Sequence, residues 1–375
     1  MKFLGGVLIL SGMIIGIGMF GIPFSFVQSG FIIGSLELII LAGIVLLLHL
    51  LYADIVLATP GFHRFPGYVK EYCGWAAVFF SRASTLFGIS GTLLAYLILG
   101  GIFLQTTAGA FGVVRSEFFW GIVVFIAGAC ITFFSSKYEA VINGMLTAVL
   151  IAFIFFLVGR LFPHINISYF EGVHIRNVFV PYGVLLFSLA GGAVIPDLIT
   201  FLGHDRMRSR GAIMIGSLVP AVVYFFFAYA VVGVSGSRVS EEAIRGLEPV
   251  LGPDIVLWGS SIGFLAVFTS LVVLSSSFQE MFRLDFGVPA GKAWAAGSLI
   301  PILLYVLGFQ NFIMVIAAVG AIAGGIDALL IIYTHGRMHT RRGTQAPRFS
   351  YLWKWALGIL FVVGAAQKIY ALIAL

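Results

Sequence analysis

The chain has 375 residues; 61% are hydrophobic, 10% are charged, the net charge is +6 and the mean hydropathy is +1.10. An average soluble domain is about 45–50% apolar and 25% charged, so the composition excludes a soluble protein and implies a polytopic protein whose surroundings are a lipid bilayer. It also argues against a nucleic-acid partner, because the basic residues sit in short loops, and against a disulfide framework, because Cys73 and Cys130 are the only cysteines.

The apolar blocks run to roughly 18–27 residues, the length that crosses a ~30 Å hydrocarbon core. In chain order they predict eleven spans: 3–27, 31–58, 75–105, 117–135, 138–160, 176–201, 211–236, 254–278, 292–308, 311–334 and 352–374. The first span follows Lys2, is far longer than the apolar region of a signal peptide and has no A-x-A site, so it reads as a retained helix. It contains G-M-I-I-G-I-G-M-F-G-I-P-F-S-F from Gly12 to Phe26, with four glycines and a proline. In a helix interior these cost about 1 kcal/mol per Gly and 3 per Pro relative to Ala.

Gly16, Gly18 and Gly21 also spell G-x-G-x-x-G, but a dinucleotide site needs a preceding strand and an acidic residue about 20 positions on. Here the glycines lie inside an apolar span, so that reading fails. A helix broken in mid-membrane frees N–H and C=O groups, which survive only where protein or a watered cavity satisfies them. Freed N–H groups at the start of the outer half-helix suit a carboxylate. Freed carbonyls suit an ammonium group or a cation. Together they complement a zwitterion, with the carboxylate approaching near Gly18.

The sixth span repeats the device. Gly18 to Pro23 reads G-M-F-G-I-P and Gly191 to Pro196 reads G-G-A-V-I-P, each glycine 15 residues into its span. Spans 1–5 (3–160) and 6–10 (176–334) therefore read as two five-helix repeats with span 11 (352–374) as an extra. An odd number of crossings inverts the second repeat, and paired interruptions in inverted halves point to a transporter site. Fifteen Lys and Arg flank the N-terminal side, Lys137 and Arg348 among them, against six on the other side, including Arg160, Arg238 and Arg245. The positive-inside rule then puts the N-terminus in the cytoplasm and the C-terminus outside a cell membrane.

The segments G-M-I-I-G-I-G-M-F-G-I-P-F-S-F-V-Q-S-G and F-S-L-A-G-G-A-V-I-P-D-L resemble the first and sixth helices of the amino acid/auxin permease family. The likeness extends to L-L-H-L-L-Y-A-D-I-V-L-A-T, H-R-F-P-G-Y-V-K-E-Y-C-G and G-T-L-L-A-Y-L-I-L-G-G, and is strongest to the prokaryotic aromatic (tryptophan/tyrosine) permease branch. It runs from about Phe3 to Arg283 and implies the five-plus-five inverted fold of the amino acid–polyamine–cation superfamily. It also implies ion-coupled uptake of an amino acid, aromatic or otherwise neutral, with no cofactor. Substrate contacts would fall at Gly16, Ile17, Gly18, Met19 and Phe20, at Phe187, Ser188, Leu189 and Ala190, and at Tyr96 in span 3. For a sodium ion, the A-x-x-T-S run in span 8 would supply Ala266, Thr269 and Ser270, joined by main-chain oxygens of Gly12 and Ile15. The aromatic branch is regarded as proton-coupled, so H+ and Na+ both stay open.

Ionisable residues inside spans are costly and hence functional suspects. Asp197, directly after Pro196, is the candidate proton carrier or partner of an inner-gate arginine. Asp54 and Asp327 sit toward the cytoplasmic interface, where a salt bridge or a solvated end would explain them; Glu37 sits toward the outer one. His49 reads as satisfied packing. No His/Asp/Glu cluster has catalytic or metal-ligand spacing, so an enzyme is not indicated. A non-transporting amino-acid receptor with the same fold is the alternative. Neither the particular amino acid nor the oligomeric state is readable from the sequence.

Overall fold

The computed structural model describes residues 2–134, 139–285, 287–343 and 350–373, and those residues form helices without strands. Lys137 and Arg348, both counted in the charge asymmetry, lie outside them. The first span is two helices, α1 (Lys2–Ile14) and α2 (Gly18–Ser29), bent by 57° at the break. There follow α3 (Phe31–Ala58), a short α4 (Phe65–Tyr72), α5 (Trp75–Ala110), α6 (Glu117–Phe134) and α7 (Glu139–Leu161). Three 3-10 turns between 162 and 177 lead to α8 (Val180–Ser188) and α9 (Ile195–Phe201), the two halves of the sixth span. The chain continues with α10 (Arg206–Ser235), α11 (Glu248–Leu251), α12 (Pro253–Asp285) and α13 (Ala290–Val306). It ends with α14 (Phe312–Val319), a π turn (Gly320–Gly324), α15 (Gly325–Arg341) and α16 (Ser350–Ile373).

Both expected interruptions are therefore present, at 15–17 and 189–194. Among the described residues, eight helical segments are long and apolar enough to cross a membrane, counting α8–α9 and α14–α15 as one each, and the bent α1–α2 pair makes a ninth. The expected spans at 292–308 and 352–374 fall on shorter apolar helices, Ala290–Val306 and Leu357–Ile369.

The broken helices face each other in opposite directions. α2 packs on α8, and α1 packs on α9. A Cβ on Gly5, near the start of α1, would come 2.9 Å from the Phe201 ring at the end of α9. α10 runs beside both α1 and α2 and against α3, while α5 and α12 pack on each other with α6, α7 and α13 around them. The molecule thus has an N-terminal end and a far end. At the former, Asp54 near the end of α3 takes both its oxygens to Arg210 Nη1 (2.8 and 3.0 Å) at the start of α10, with Arg206 at 3.4 Å. The salt bridge that would explain Asp54 is the one formed.

At the far end the chain turns sharply from α2 into α3 through Gly30, at φ +96°. Only glycine adopts that conformation freely, and a Cβ there would also strike the main chain at Gly172. Ser29 O accepts the His174 N–H (2.9 Å) and Gln28 O accepts from Asn177 Nδ2 (3.0 Å), so the 162–179 connection is stitched over this corner. Phe31, Phe170, Phe225 and Tyr229 then stack into one aromatic plug.

Candidate functional site

At the first break the α-helical pattern stops at Ile15, whose N–H reaches Ser11 O (2.8 Å). The next three N–H groups, of Gly16, Ile17 and Gly18, find no main-chain acceptor among the described residues. Met19 and Phe20 then bond back to Gly16 O and Ile17 O (both 3.2 Å), which tightens the start of α2. The second break does the same. Leu189 and Ala190 close α8 onto Leu185 O and Phe187 O, and the N–H groups of Gly191, Gly192 and Ala193 are left without a main-chain acceptor. The Gly16 N–H meets the Tyr224 hydroxyl, so the first break offers the N–H groups of Ile17 and Gly18 and the second those of Gly191, Gly192 and Ala193 at the positive ends of half-helices, an anion-binding arrangement.

The carbonyl side is shared. Tyr224 Oη of α10 is within hydrogen-bond reach of Ile14 O, at the end of α1, and of Ser188 O (3.1 Å), at the end of α8. One phenolic hydrogen serves two carbonyls, so at any moment one of them is free to accept an ammonium donor. Sequence reasoning missed Tyr224. Its signal was the heptad Arg210, Ser217, Tyr224, a polar stripe on an otherwise apolar helix that meets Asp54, His49 (Nδ1···Ser217 Oγ 2.9 Å) and the two breaks in turn.

The glycines divide into two kinds. A Cβ on Gly18 would lie 2.5 Å from Ser188 Oγ and 2.8 Å from Ser188 Cα; one on Gly191 would lie 2.6 Å from Ile14 and 2.9 Å from Leu10. Each allows the other broken helix to approach. Gly18 thus faces Ser188, where open space for a carboxylate had been expected, and none of the first-break glycines has a positive φ. Gly16 and Gly12 are different: both are half-exposed, a Cβ on Gly16 would come no nearer than 4.0 Å to Ile14 O, and one on Gly12 would meet nothing. Open backbone sits at Gly16.

Met19 (0% exposed) and Phe20 (2%) are sealed in protein, Phe20 edge-on to Phe103 at 5.1 Å and near Phe227 at 6.4 Å. Ile15, Ile17, Ser188 and Leu189 are buried, Phe187 is half-buried and Ala190 is exposed. The Ser188 hydroxyl bonds back to Val184 O (2.7 Å). Tyr96, half-buried on α5, hydrogen-bonds to Ser270 of α12.

Of the expected cation ligands, Thr269 and Ser270 come together, but around a residue the sequence did not single out. Both hydroxyls donate to Asn143 Oδ1 of α7 (3.1 and 2.9 Å), and Thr269 Oγ1 also lies 3.0 Å from Leu265 O and 3.2 Å from Ala266 O. Gly12 and Ile15 belong to the first broken helix, and α1 packs on α10, α9 and α7, forming no packed pair with α12. The two parts of that set sit on different helices, α1 with its break and α12.

Asp197 is in the first turn of α9 and exposed, with Arg64 close enough to act on it through space. The Arg64 guanidinium itself bonds to Glu280 at 3.4 Å. Asp327 is held by the Ser84 hydroxyl (2.7 Å). Glu37 is half-buried, with one carboxylate oxygen lacking a partner.

The loop after α10 is the other feature the sequence did not reveal. Arg245 sends Nε to Thr106 Oγ1 (2.8 Å), Nη1 to Glu117 Oε1 (2.8 Å) and Nη2 to Ile102 O (3.0 Å) and Gln105 Oε1 (2.9 Å), clamping the loop onto α5 and α6. Glu242, buried, accepts the Arg245 N–H at 3.1 Å, and Ala243, Ile244 and Leu247 are packed inside.

Comparison with known proteins agrees with this architecture. The model of the tryptophan/tyrosine permease family matches residues 1–333. The low affinity tryptophan permease of Escherichia coli K12 is 24% identical over 347 residues, 85% of this chain and 83% of that protein. The tyrosine-specific transport system 2 of Haemophilus influenzae is also 24% identical, over 62% of this chain and 58% of its own. Among solved structures, MhsT in complex with L-phenylalanine superposes with a TM-score of 0.60 at 17% identity, covering 98% of both chains. That likeness establishes the fold.

Proposed function

The chain belongs to the tryptophan/tyrosine permease family, and from that premise we propose that it is a secondary active transporter, taking up an amino acid by alternating access and driven by an ion gradient. It is a permease rather than an enzyme. The observation that carries the substrate class is the pair of facing breaks. The N–H groups of Ile17 and Gly18 at one break and of Gly191, Gly192 and Ala193 at the other, without main-chain acceptors among the described residues, suit a carboxylate, and the Ile14 and Ser188 carbonyls beneath Tyr224 suit the ammonium. An aromatic side chain is supported by the names of two relatives, a tryptophan permease and a tyrosine transport system, and by the phenylalanine in MhsT.

With the N-terminal end taken as cytoplasmic, the exposure along the second break supports an inward-facing state. Ala190, Ala193 and Asp197 are exposed along the second break and α9, while the Arg245 loop and the aromatic plug cover the far end. Sodium at Thr269 and Ser270 would require α1 to close on α12, which is a change alternating access itself would supply.

A thermal-shift series over the twenty amino acids, with and without sodium, tests the reading, since a ligand of the folded state raises its stability by mass action. An aromatic amino acid should raise Tm, and Gly16→Val should abolish the rise while leaving the ligand-free Tm near that of the wild type. Uptake of the stabilising amino acid into vesicles should follow. No shift with any of the twenty, or binding without accumulation, would overturn the transporter reading.

A further inference from the structure

The span formed by α14 and α15 holds a feature that the transport reading has not used. Its middle is the π turn Gly320–Gly324, and π turns are concentrated at functional sites. On one side the turn touches α8 main chain to main chain: a Cβ on Gly320 would strike Gly183 O and lie 2.6 Å from Phe187 N. It thus abuts the half-helix that ends at Ser188 beside the break. On its other side lies Ser84 of α5, 2% exposed, whose Oγ is 3.1 Å from Ala323 O in the π turn and 2.7 Å from Asp327 Oδ1 just after it.

Counting hydrogens makes this a switch. Ser84 has one hydroxyl hydrogen and two acceptors within reach. With Asp327 ionised, the carboxylate takes that hydrogen and Ala323 O loses its bond from Ser84. With Asp327 neutral, its own O–H donates to Ser84 Oγ, the Ser84 hydrogen passes to Ala323 O, and both contacts are kept at once. Asp327 lies 15 residues from Phe312 and 14 from Arg341, about 22 Å of helix from either end, and it forms no ion pair among the described residues.

The groups around it are few. α3 brings Tyr52, which interacts through space with Asp327, with Tyr68 of α4 and with Asp197 of α9. α4 also carries Lys70, which is exposed. α5 brings Ser84 and, two residues earlier, Arg82, which has an interaction of its own. α16 puts Phe361 and Ala365 beside Gly325, with Lys368 a turn beyond. On α15 itself, His335 is two turns away and stacked on His339.

We infer that Asp327 is the carboxyl that binds and releases the coupled proton, and that Ser84 relays its protonation state to the π turn and so to α8. The inference rests on the transport reading and deepens it by assigning the coupling ion and its residue. In proteoliposomes, Asp327→Asn should cut accumulation of L-tryptophan under an imposed pH gradient by about tenfold or more, a coupling loss of the usual size. Exchange at symmetric pH should persist, because the amide can still donate to Ser84. Accumulation by Asp327→Asn equal to the wild type, or wild-type accumulation driven by sodium with no response to pH, would overturn it. PH-step infrared difference spectra of the purified protein read the carboxyl without any substrate. A protonated-carboxyl band present in the wild type and absent from Asp327→Asn supports the assignment even if no transport of L-tryptophan is seen; an identical band in both overturns it.

Discussion

The two ends of the molecule are held by different kinds of contact. At the N-terminal end, Arg64 and Glu280 are 3.4 Å apart with side chains 53% and 55% exposed, and they link the stretch before α4 to α12. Such wet pairs contribute about 0–1 kcal/mol. The stronger pair there, Arg210 with Asp54, ties α10 to α3 and does not reach α5 or α12. At the far end, one guanidinium is forked across α5 and α6 and backed by a buried carboxylate. Forked, charge-assisted bonds in partly buried surroundings are the stronger class. On the proposed alternating access, the contrast places the barrier: closing the N-terminal end would break little, and opening the far end would need Arg245 to let go.

Arg245→Ala should therefore have the largest effect. Each charge-assisted bond is worth about 1.5–3 kcal/mol, and a net loss near 3 kcal/mol would shift the balance between closed and open far ends about a hundredfold. In a background lacking Cys73 and Cys130, a cysteine at Ala190 should react from the N-terminal end alone in the parent. With Arg245→Ala it should react from both ends, and uptake should fall. Arg245→Lys should recover little, since a point ammonium cannot reproduce the fork. Unchanged labelling would mean that the aromatic plug of Phe31, Phe170 and Tyr229 is the true seal.

Tyr224→Phe sharpens the comparison in the middle of the molecule, where both ends meet the breaks. It removes a side-chain donor shared by Ile14 O and Ser188 O, leaving buried carbonyls at a cost of about 1–3 kcal/mol. The expected outcome is a lower Tm and a substrate affinity reduced roughly tenfold, read by titration of the purified variant. A variant with full affinity would show that the ammonium is held elsewhere.

The legible parts of this chain were those written as local pattern. Apolar blocks placed most helix bounds within a few residues, because lipid demands length and apolarity, although α12 and α15 run on to Asp285 and Arg341, past the expected 278 and 334; paired glycines and prolines located both breaks. What one helix does to another was harder to read. Gly18 was expected to face ligand and instead admits Ser188, since a glycine's sequence position does not say which neighbour comes close. Thr269 and Ser270 were recognised, but their partner Asn143 is 126 residues away in sequence. Arg245 sat in a loop noted only for its length and charge, and nothing local announces that its fork will meet Thr106 and Glu117.

The smallest expected effect concerns Glu241, beside the Arg245 latch. Its carboxylate accepts from Asn311 Nδ2 at 2.8 Å, joining the loop to the start of α14. Burial raises its pKa above the ordinary carboxylate range; the bonds from Asn311 and the Ile313 main chain oppose that rise, and the charges of Glu242 and Glu117 add to it. A carboxyl whose pKa is higher in the closed loop than in the released one binds its proton better when closed. Its contribution is thus fully present below the released-state pKa, about 4.3 for a free glutamate, and is lost as pH rises through the closed-state value. The far end should be held slightly more tightly in mild acid than at neutral pH. Glu241→Gln keeps an acceptor for Asn311 and removes the titration, so when both are compared in the Arg245→Ala background, where the far end is open to label, its far-end labelling at Ala190→Cys should lose the part of the pH dependence that the parent shows near the carboxylate range. If the parent and Glu241→Gln follow the same pH profile, the ionisation of Glu241 plays no part in the latch, and the difference between the two ends rests on Arg245 alone.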